Sequence, residues 1–168
     1  MPRPIEHRTS SPYSAATVYA ALTDKEFLRA RLNRLGGKRS ELTSFSAEGG
    51  ATRYSLRQTV DAERIPPIAR TVIRGDLVIE RTESWNGNGG YGGTVAASVP
   101  GAPGSVQAVT SLFDTGGGSE LVFSGTVKVG VPLVGGKLED LIVEQLTALL
   151  DAEGEFTRHW LETHGVRS

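Results

Sequence analysis

The sequence predicts an α+β fold in which a seven-stranded antiparallel curved sheet wraps around one long C-terminal helix. Seven segments have strand-like patterns and are separated by turn residues, and two short helical patterns follow the first of them. An amphipathic pattern then runs from Lys137 to about His164. Because such a helix must bury its apolar stripe, we expect it to lie in the concave face of the sheet. The 168 residues are most simply one domain, residues 1–168.

The N-terminal part predicts one strand and two short helices. Arg3–Ser10 alternates weakly and is typical of a strand. Ser11 is the predicted N-cap of the first helix, with Pro12 at its first position. Thr23 and Glu26 fit a capping box that opens the second helix, which two consecutive glycines end.

Six more strands follow, each bounded by turn residues. They are Glu41–Ala47, Thr52–Asp61, Asp76–Trp85, Gly93–Val99, Ser105–Asp114 and Ser119–Val131. Most of the turns are short enough for antiparallel hairpins. The connection Ile65–Ile73 is too apolar for a solvated turn, and Pro67 is suited to opening one helical turn there. This segment is either a lid over a pocket or a packed connector.

The angular arrangement of the last helix places one carboxylate inside its apolar stripe. At about 100° per residue, one face collects Leu138, Ile142, Gln145, Leu146, Leu149, Glu153, Phe156 and Trp160. A carboxylate in this position must pair with a cation, shift its pKa upward or reach water. Gly154, next to Glu153, indicates a slight bend or a close contact, because glycine costs about 1 kcal/mol relative to alanine inside a helix.

Strand alternation predicts which side chains face this helix. In Asp76–Trp85 the more apolar face carries Arg81 and Glu83 inward. We expect Arg81 to pair with Glu83 or Glu153, either as a structural ion pair or as a donor to a ligand's carboxylate, enol or phosphate. The predicted ligand-binding residues are Tyr54, Leu56, Gln58, Ile79, Arg81, Glu83, Trp85, Leu121, Phe123, Ile142, Leu146, Leu149 and Glu153.

Composition and motifs argue against several other classes of protein. There are no cysteines, the net charge is −1 with both signs mixed, and no stretch approaches the length of a membrane span. We therefore expect a cytoplasmic protein, a monomer or weak homodimer, that has no cofactor and does not bind nucleic acid or insert into membranes. His159 and His164 lie too far apart around a helix to share a metal.

Two further patterns have simple structural interpretations. Gly87–Gly92 has dinucleotide-binding spacing, but the segment after it predicts a strand, so we expect a hairpin turn. A basic run in and after the second helix is expected to be a solvated face. Its members are Arg29, Arg31, Arg34, Lys38 and Arg39.

The order of elements resembles the helix-grip fold of the START and Bet v1-like (SRPBCC, polyketide cyclase-like) superfamily. The chain is similar to actinobacterial DUF2505-type proteins over nearly its whole length. Ser11–Asp24, Arg81–Trp85 and Val131–Glu139 carry this resemblance. It implies a cavity for a hydrophobic or amphipathic ligand and carries over no catalytic residues.

These observations predict binding or carriage of a hydrophobic or amphipathic small molecule, such as a lipid or a polyketide-like compound. One alternative is a cyclase or dehydratase of polyketide-like substrates, in which Glu153, Glu83 or His7 acts as general acid–base. A second alternative is a protein-interaction module without a ligand.

Overall fold

A computed structural model describes residues 2–164 and confirms the predicted architecture. The sheet is formed by β1 (Arg3–Ser11), β2 (Glu41–Glu48), β3 (Ala51–Val60), β4 (Leu77–Asn86), β5 (Tyr91–Ser98), β6 (Gly104–Thr115) and β7 (Gly118–Val129). The helices are α1 (Ala15–Leu22), α2 (Lys25–Leu35) and α3 (Gly135–Thr163). The predicted strand boundaries differ from these by at most two residues.

Every strand of the sheet pairs antiparallel with its neighbours. The spatial order is β1-β7-β6-β5-β4-β3-β2, so only β1 pairs with a strand distant in sequence. The predicted turn at Gly87–Gly92 is confirmed as part of the β4–β5 hairpin. α3 packs mainly on β1 and β7, while α1 and α2 contact its C-terminal half. The long helix therefore lies across one side of the concave face.

The predicted N-caps of the two short helices are wrong, by three residues for α1 and by one residue for α2. Ser14, not Ser11, caps α1, and its hydroxyl accepts from Thr17 N at 3.2 Å. Asp24, not Thr23, caps α2 and accepts from Glu26 N at 2.9 Å. In each case a later side chain with an oxygen acceptor satisfies the free N–H groups of the first turn.

The connection between β3 and β4 contains two short 3₁₀ turns, Ala62–Arg64 and Ala69–Thr71. The Ile65 side chain between them is buried. The Arg70 guanidinium donates to the carbonyl oxygens of Ile65 at 2.9 Å and of Glu63 at 3.0 Å. Arg70 thus holds the segment together through hydrogen bonds to its main chain, and the buried Ile65 side chain fixes it to the rest of the protein.

The interior contains two apolar clusters. The first lies between α1, α2, the end of α3 and one half of the sheet, and it includes Phe27, Tyr54 and Leu161. The second lies under the first half of α3 and includes Phe123 and Val127. Both sets of strand residues lie on the concave face, as their alternation predicts.

The buried face of α3 is rotated slightly from the predicted stripe. Gln145 was expected to face inward but is exposed. Glu139, Thr157 and Leu161 are buried instead. Oε2 of the buried Glu139 accepts from the backbone N–H of Val129 at 2.8 Å, whereas its Oε1 has no hydrogen-bond partner within residues 2–164.

Gly154 marks a close contact between α3 and β1. A Cβ at this position would lie 2.7 Å from Cγ2 of Thr9, which is well inside van der Waals contact. Glycine therefore allows the helix to approach the strand at this point.

We predict that Gly154→Ala destabilises the protein by roughly 1 kcal/mol, because overpacking outweighs the gain in helix propensity. In a Thr9→Ser background, which lacks Cγ2, the same change should be neutral or stabilising. Urea unfolding of the four proteins in this double-mutant cycle checks the contact. Equal effects of Gly154→Ala in both backgrounds would show that Thr9 is not the obstacle.

Candidate functional site

A small hollow lies between the two apolar clusters, enclosed by the sheet on one side and by all three helices on the other. Its volume is about 60 Å³. Its apolar wall is formed by Val18, Leu22, Trp85, Val95, Leu112, Leu121, Phe123 and Leu150. Ligand cavities for drug-sized molecules have volumes of about 300–1,000 Å³, so in this form the hollow has room for only a few atoms.

Four charged side chains form a buried ion cluster at the edge of the hollow. Arg81 donates to both carboxylate oxygens of Glu153, at 2.8 and 3.1 Å. Arg81 Nε also lies 2.7 Å from Glu83 Oε2. Arg31 lies 3.9 Å from Glu83 and 3.7 Å from Glu153. All four side chains are at most 8% exposed, and their charges sum to zero.

The pKa values of this cluster follow from its charges. Burial alone would raise the pKa of Glu153, but Arg31 and Arg81 outweigh it and hold that pKa at about 2. Burial would lower the pKa of Arg81, and the carboxylates of Glu153 and Glu83 raise it instead. Burial, followed by the charge of Glu83, raises the pKa of Tyr54 well above its ordinary range. Glu153 is therefore a fixed anion at neutral pH.

Five buried polar atoms of residues that line the hollow make no hydrogen bond within residues 2–164. Two of them, Arg81 Nε and Glu83 Oε2, face each other at 2.7 Å as an ion pair. The other three, Thr110 Oγ1, Ser119 Oγ and Arg31 Nη2, have no close partner in that range. Thr110 is 8% and Ser119 1% exposed. A buried polar group without a partner costs about 1–3 kcal/mol, so these three groups provide unused binding capacity inside an apolar wall.

A histidine lies where β1 passes under α3. His7 Nε2 is 2.7 Å from Asp151 Oδ1, and His7 Nδ1 is 3.3 Å from Thr9 Oγ1. His7 and Thr9 both line the hollow, whereas the Asp151 side chain is 69% exposed. The pair therefore joins the inside of the protein to its surface along the seam between β1 and α3.

Six of the thirteen predicted ligand-binding residues line the hollow. They are Arg81, Glu83, Trp85, Leu121, Phe123 and Glu153. Arg81 pairs with both predicted partners, so the expectation of an ion pair is confirmed.

The other seven predicted residues do not line the hollow. Tyr54 and Leu56 belong to the first apolar cluster, and the Tyr54 hydroxyl lies 3.4 Å from the donor Trp85 Nε1. Gln58 is buried, while Ile79 and Leu149 are partly buried. Ile142 and Leu146 are partly buried against the second cluster.

Sequence reasoning missed Arg31, because it was grouped with the solvated basic run. Arg31 is 5% exposed, whereas Arg29, Arg34, Lys38 and Arg39 are exposed as expected. Its position four residues after Phe27 was the available signal, since residues so spaced share a helix face. The guanidinium lies 5.6 Å from the centre of the Phe27 ring.

Within residues 2–164 no group of three histidine or acidic side chains is arranged to hold a metal ion. Among the helices of this region, none is both long and apolar enough to cross a membrane.

Comparison with known proteins identifies the family and the fold. The model of the family described as "Protein of unknown function (DUF2505)" matches residues 6–161. Uncharacterized proteins of Mycobacterium tuberculosis H37Rv and of Mycobacterium bovis are each 30% identical to this chain. The match covers 96% of this chain and 98% of each relative.

Solved structures with little sequence identity share the fold. Norcoclaurine synthase from Thalictrum flavum superposes with a TM-score of 0.61 at 18% identity, covering 96% of this chain and 87% of its own. Ara h 8.0201 superposes with a TM-score of 0.56 at 13% identity, covering 97% and 99%. The protein of unknown function SA2116 from Staphylococcus aureus gives 0.62 at 14%, covering 98% and 96%. These likenesses confirm the predicted Bet v1-like helix-grip fold.

We predict that Glu153→Gln destabilises the protein by about 3–5 kcal/mol, because it leaves two buried guanidinium groups with one carboxylate. Glu155→Gln is a matched control, since Glu155 is two residues away, 72% exposed and paired with Arg158 at the surface. The control should change the free energy of unfolding by less than about 1 kcal/mol. Similar losses in both variants, measured by urea unfolding, would contradict the assigned role of the cluster.

The low pKa of Glu153 also predicts a specific loss of stability in acid. A carboxylate whose folded pKa is about 2, against an ordinary 4.5, stabilises the fold above pH 4.5, and this contribution is lost as the pH falls toward 2. The loss should be on the order of 3 kcal/mol. Unfolding curves across this range should show the extra pH dependence in the parent and in Glu155→Gln but not in Glu153→Gln.

Proposed function

The chain belongs to the DUF2505 family, and we propose that it binds a hydrophobic or amphipathic small molecule, such as a lipid or polyketide-like compound, between its sheet and its C-terminal helix. The observation that carries this proposal is the set of unpartnered polar groups inside an apolar wall. Arg31 Nη2, Thr110 Oγ1 and Ser119 Oγ line the hollow, are buried and have no hydrogen-bond partner within residues 2–164. Apolar walls with a few convergent polar groups are typical of small-molecule sites.

Arg31 is the donor best suited to the polar end of a ligand. Arg81 is committed to Glu153 through two hydrogen bonds and lies against Glu83. Arg31 approaches the same carboxylates only to 3.7 and 3.9 Å, which is beyond hydrogen-bond distance. A ligand's carboxylate, enol or phosphate would gain a charged hydrogen bond there without breaking the Arg81–Glu153 pair.

Entry of a ligand requires the hollow to widen, because about 60 Å³ is far below the volume of a lipid chain. We place this widening at the seam between α3 and β1. The polar links across it, His7 to Asp151 and Arg3 to Asp140, each end at an exposed carboxylate. Ile142 and Leu146 on α3 are only partly buried, so they have apolar surface left to offer a ligand. Movement of α3 away from β1 would extend the hollow along these side chains.

The proposed site is complete within one chain. We therefore propose a monomer or weak homodimer. We also propose that it acts in the cytoplasm, in line with the absence of cysteine and the mixed surface charge.

The second candidate function is that of a cyclase or dehydratase of polyketide-like substrates, and it rests on the position of His7. The proposed acid–base roles of Glu153 and Glu83 are disfavoured by their ion pairs with arginine. His7 lines the hollow and is oriented by the Asp151 carboxylate, which is the arrangement of a general base. Hydrogen–deuterium exchange next to the carbonyl of a β-ketoacyl thioester, followed by NMR, tests this role. Exchange that is accelerated by the parent and lost in His7→Gln would support it, and equal rates would exclude it.

We predict that Thr110→Val raises stability and weakens ligand binding at the same time. Removing an unpartnered buried hydroxyl should stabilise the empty protein by about 1 kcal/mol and lower the affinity for dodecanoate roughly two- to tenfold. Thr126→Val is the control, because Thr126, on β7, is exposed on the face of the sheet that points away from the hollow. Thermal unfolding and calorimetric titration measure the two effects. Unchanged affinity in Thr110→Val would remove this hydroxyl from the site.

We also predict that the double variant Arg31→Met/Glu83→Gln loses recognition of charged ligands selectively. It keeps the cluster neutral and leaves the Arg81–Glu153 pair intact, so the fold should survive. Its affinity for dodecanoate should fall at least about tenfold, while that for dodecan-1-ol should change little. Equal affinity for dodecanoate in parent and variant would contradict the assigned role of Arg31.

A further inference from the structure

Several connections of the chain leave the sheet at the same end of the molecule. β3, β5 and β7 all run toward this end, because neighbouring strands of the sheet are antiparallel. Their connections are residues 61–76, 99–103 and 130–134. The exit of α2, residues 36–40, joins them through the hydrogen bond from Thr59 N to Gly36 O. Gly130 N likewise donates to Pro103 O at 2.9 Å. We call these four segments the loop edge.

The loop edge is basic, although the chain as a whole is slightly acidic. Its segments carry five basic and three acidic residues, a net charge of +2, whereas the whole chain has −1. Asp76 is engaged by Arg39 at 2.8 Å. Lys38, Arg64 and Arg74 are exposed and make no ion pair within residues 2–164. The loop edge thus presents exposed cations, unpaired within the described part of the chain, that are available to a partner.

The same edge presents apolar side chains at the tips of its loops. Leu133 is fully exposed and has a φ of 72°, a conformation that a leucine rarely adopts. It is one of three large apolar residues that are exposed among residues 2–164, and the other two lie in β6. Ile68, Val72 and Ile73 in the β3–β4 connection are only partly buried. The fold thus holds a leucine in water at a conformational cost.

From this combination we propose that the loop edge docks on the surface of a bilayer that contains anionic lipids. Basic residues near such a surface contribute about 1 kcal/mol each, and apolar tips between them can enter the interface. The apolar residues are separate tips between cations and form no continuous patch, which favours a bilayer over a protein partner. This docking does not depend on whether the hollow binds a ligand.

Flotation of the full-length protein with phospholipid vesicles tests the proposal. Vesicles with about one anionic phosphatidylglycerol in three lipids should bind it, pure phosphatidylcholine vesicles should not, and added salt should weaken binding. Arg64→Glu/Arg74→Glu should reduce binding at least about tenfold. Leu133→Asn should reduce it several-fold without loss of stability, because asparagine tolerates positive φ.

Matched controls keep the test specific. Arg29→Glu/Arg53→Glu makes the same change of charge at exposed positions away from the loop edge, and Val109→Thr removes an exposed apolar side chain from β6. Both controls should bind like the parent, and the thermal unfolding of all variants should confirm that they are folded. The proposal is overturned if the parent does not bind anionic vesicles, or if the controls lose as much binding as the loop-edge variants.

Discussion

The buried pair of Arg81 and Glu153 is the interaction on which the rest of this structure depends. It joins the centre of the sheet to the middle of α3, and Arg31 extends it to α2. Because a buried charge is tolerated only when it is compensated, the two arginines and two glutamates fix the positions of three elements relative to one another. The hollow lies beside this cluster and is lined by all four of its residues.

Stability favours a filled interior in which every polar group is paired, whereas the proposed site needs space and unpaired polar groups. The two apolar clusters are filled by large side chains such as Phe27 and Phe123. Between them lie Thr110 and Ser119, whose unpartnered hydroxyls stabilise nothing within residues 2–164. Functional sites are places where such local costs are accepted. A protein selected only for stability would place valine and alanine at these two positions.

The sequence predicted the sheet, the helices and the ion pair because each depends on a local period. Alternation along β4 placed Arg81 and Glu83 inward, and the helical wheel placed Glu153 opposite them. The alternation along the strands did not predict which inward-facing residues would line the hollow. Tyr54 and Leu56 are inward yet packed in the core, because cavity walls depend on how α1 and α2 pack over the sheet. Arg31 was missed because its charge placed it in the basic run, although its spacing from Phe27 puts it on the buried face of α2.

We propose that the space beside Arg31 holds a hydrophobic or amphipathic ligand. Native mass spectrometry of the protein isolated from its own host tests this proposal directly. We expect a bound compound of lipid-like or polyketide-like composition that is retained by the parent and lost, or much reduced, in Arg31→Met/Glu83→Gln. A parent protein that carries no adduct, and that takes up neither dodecanoate nor dodecan-1-ol when these are added, would contradict it.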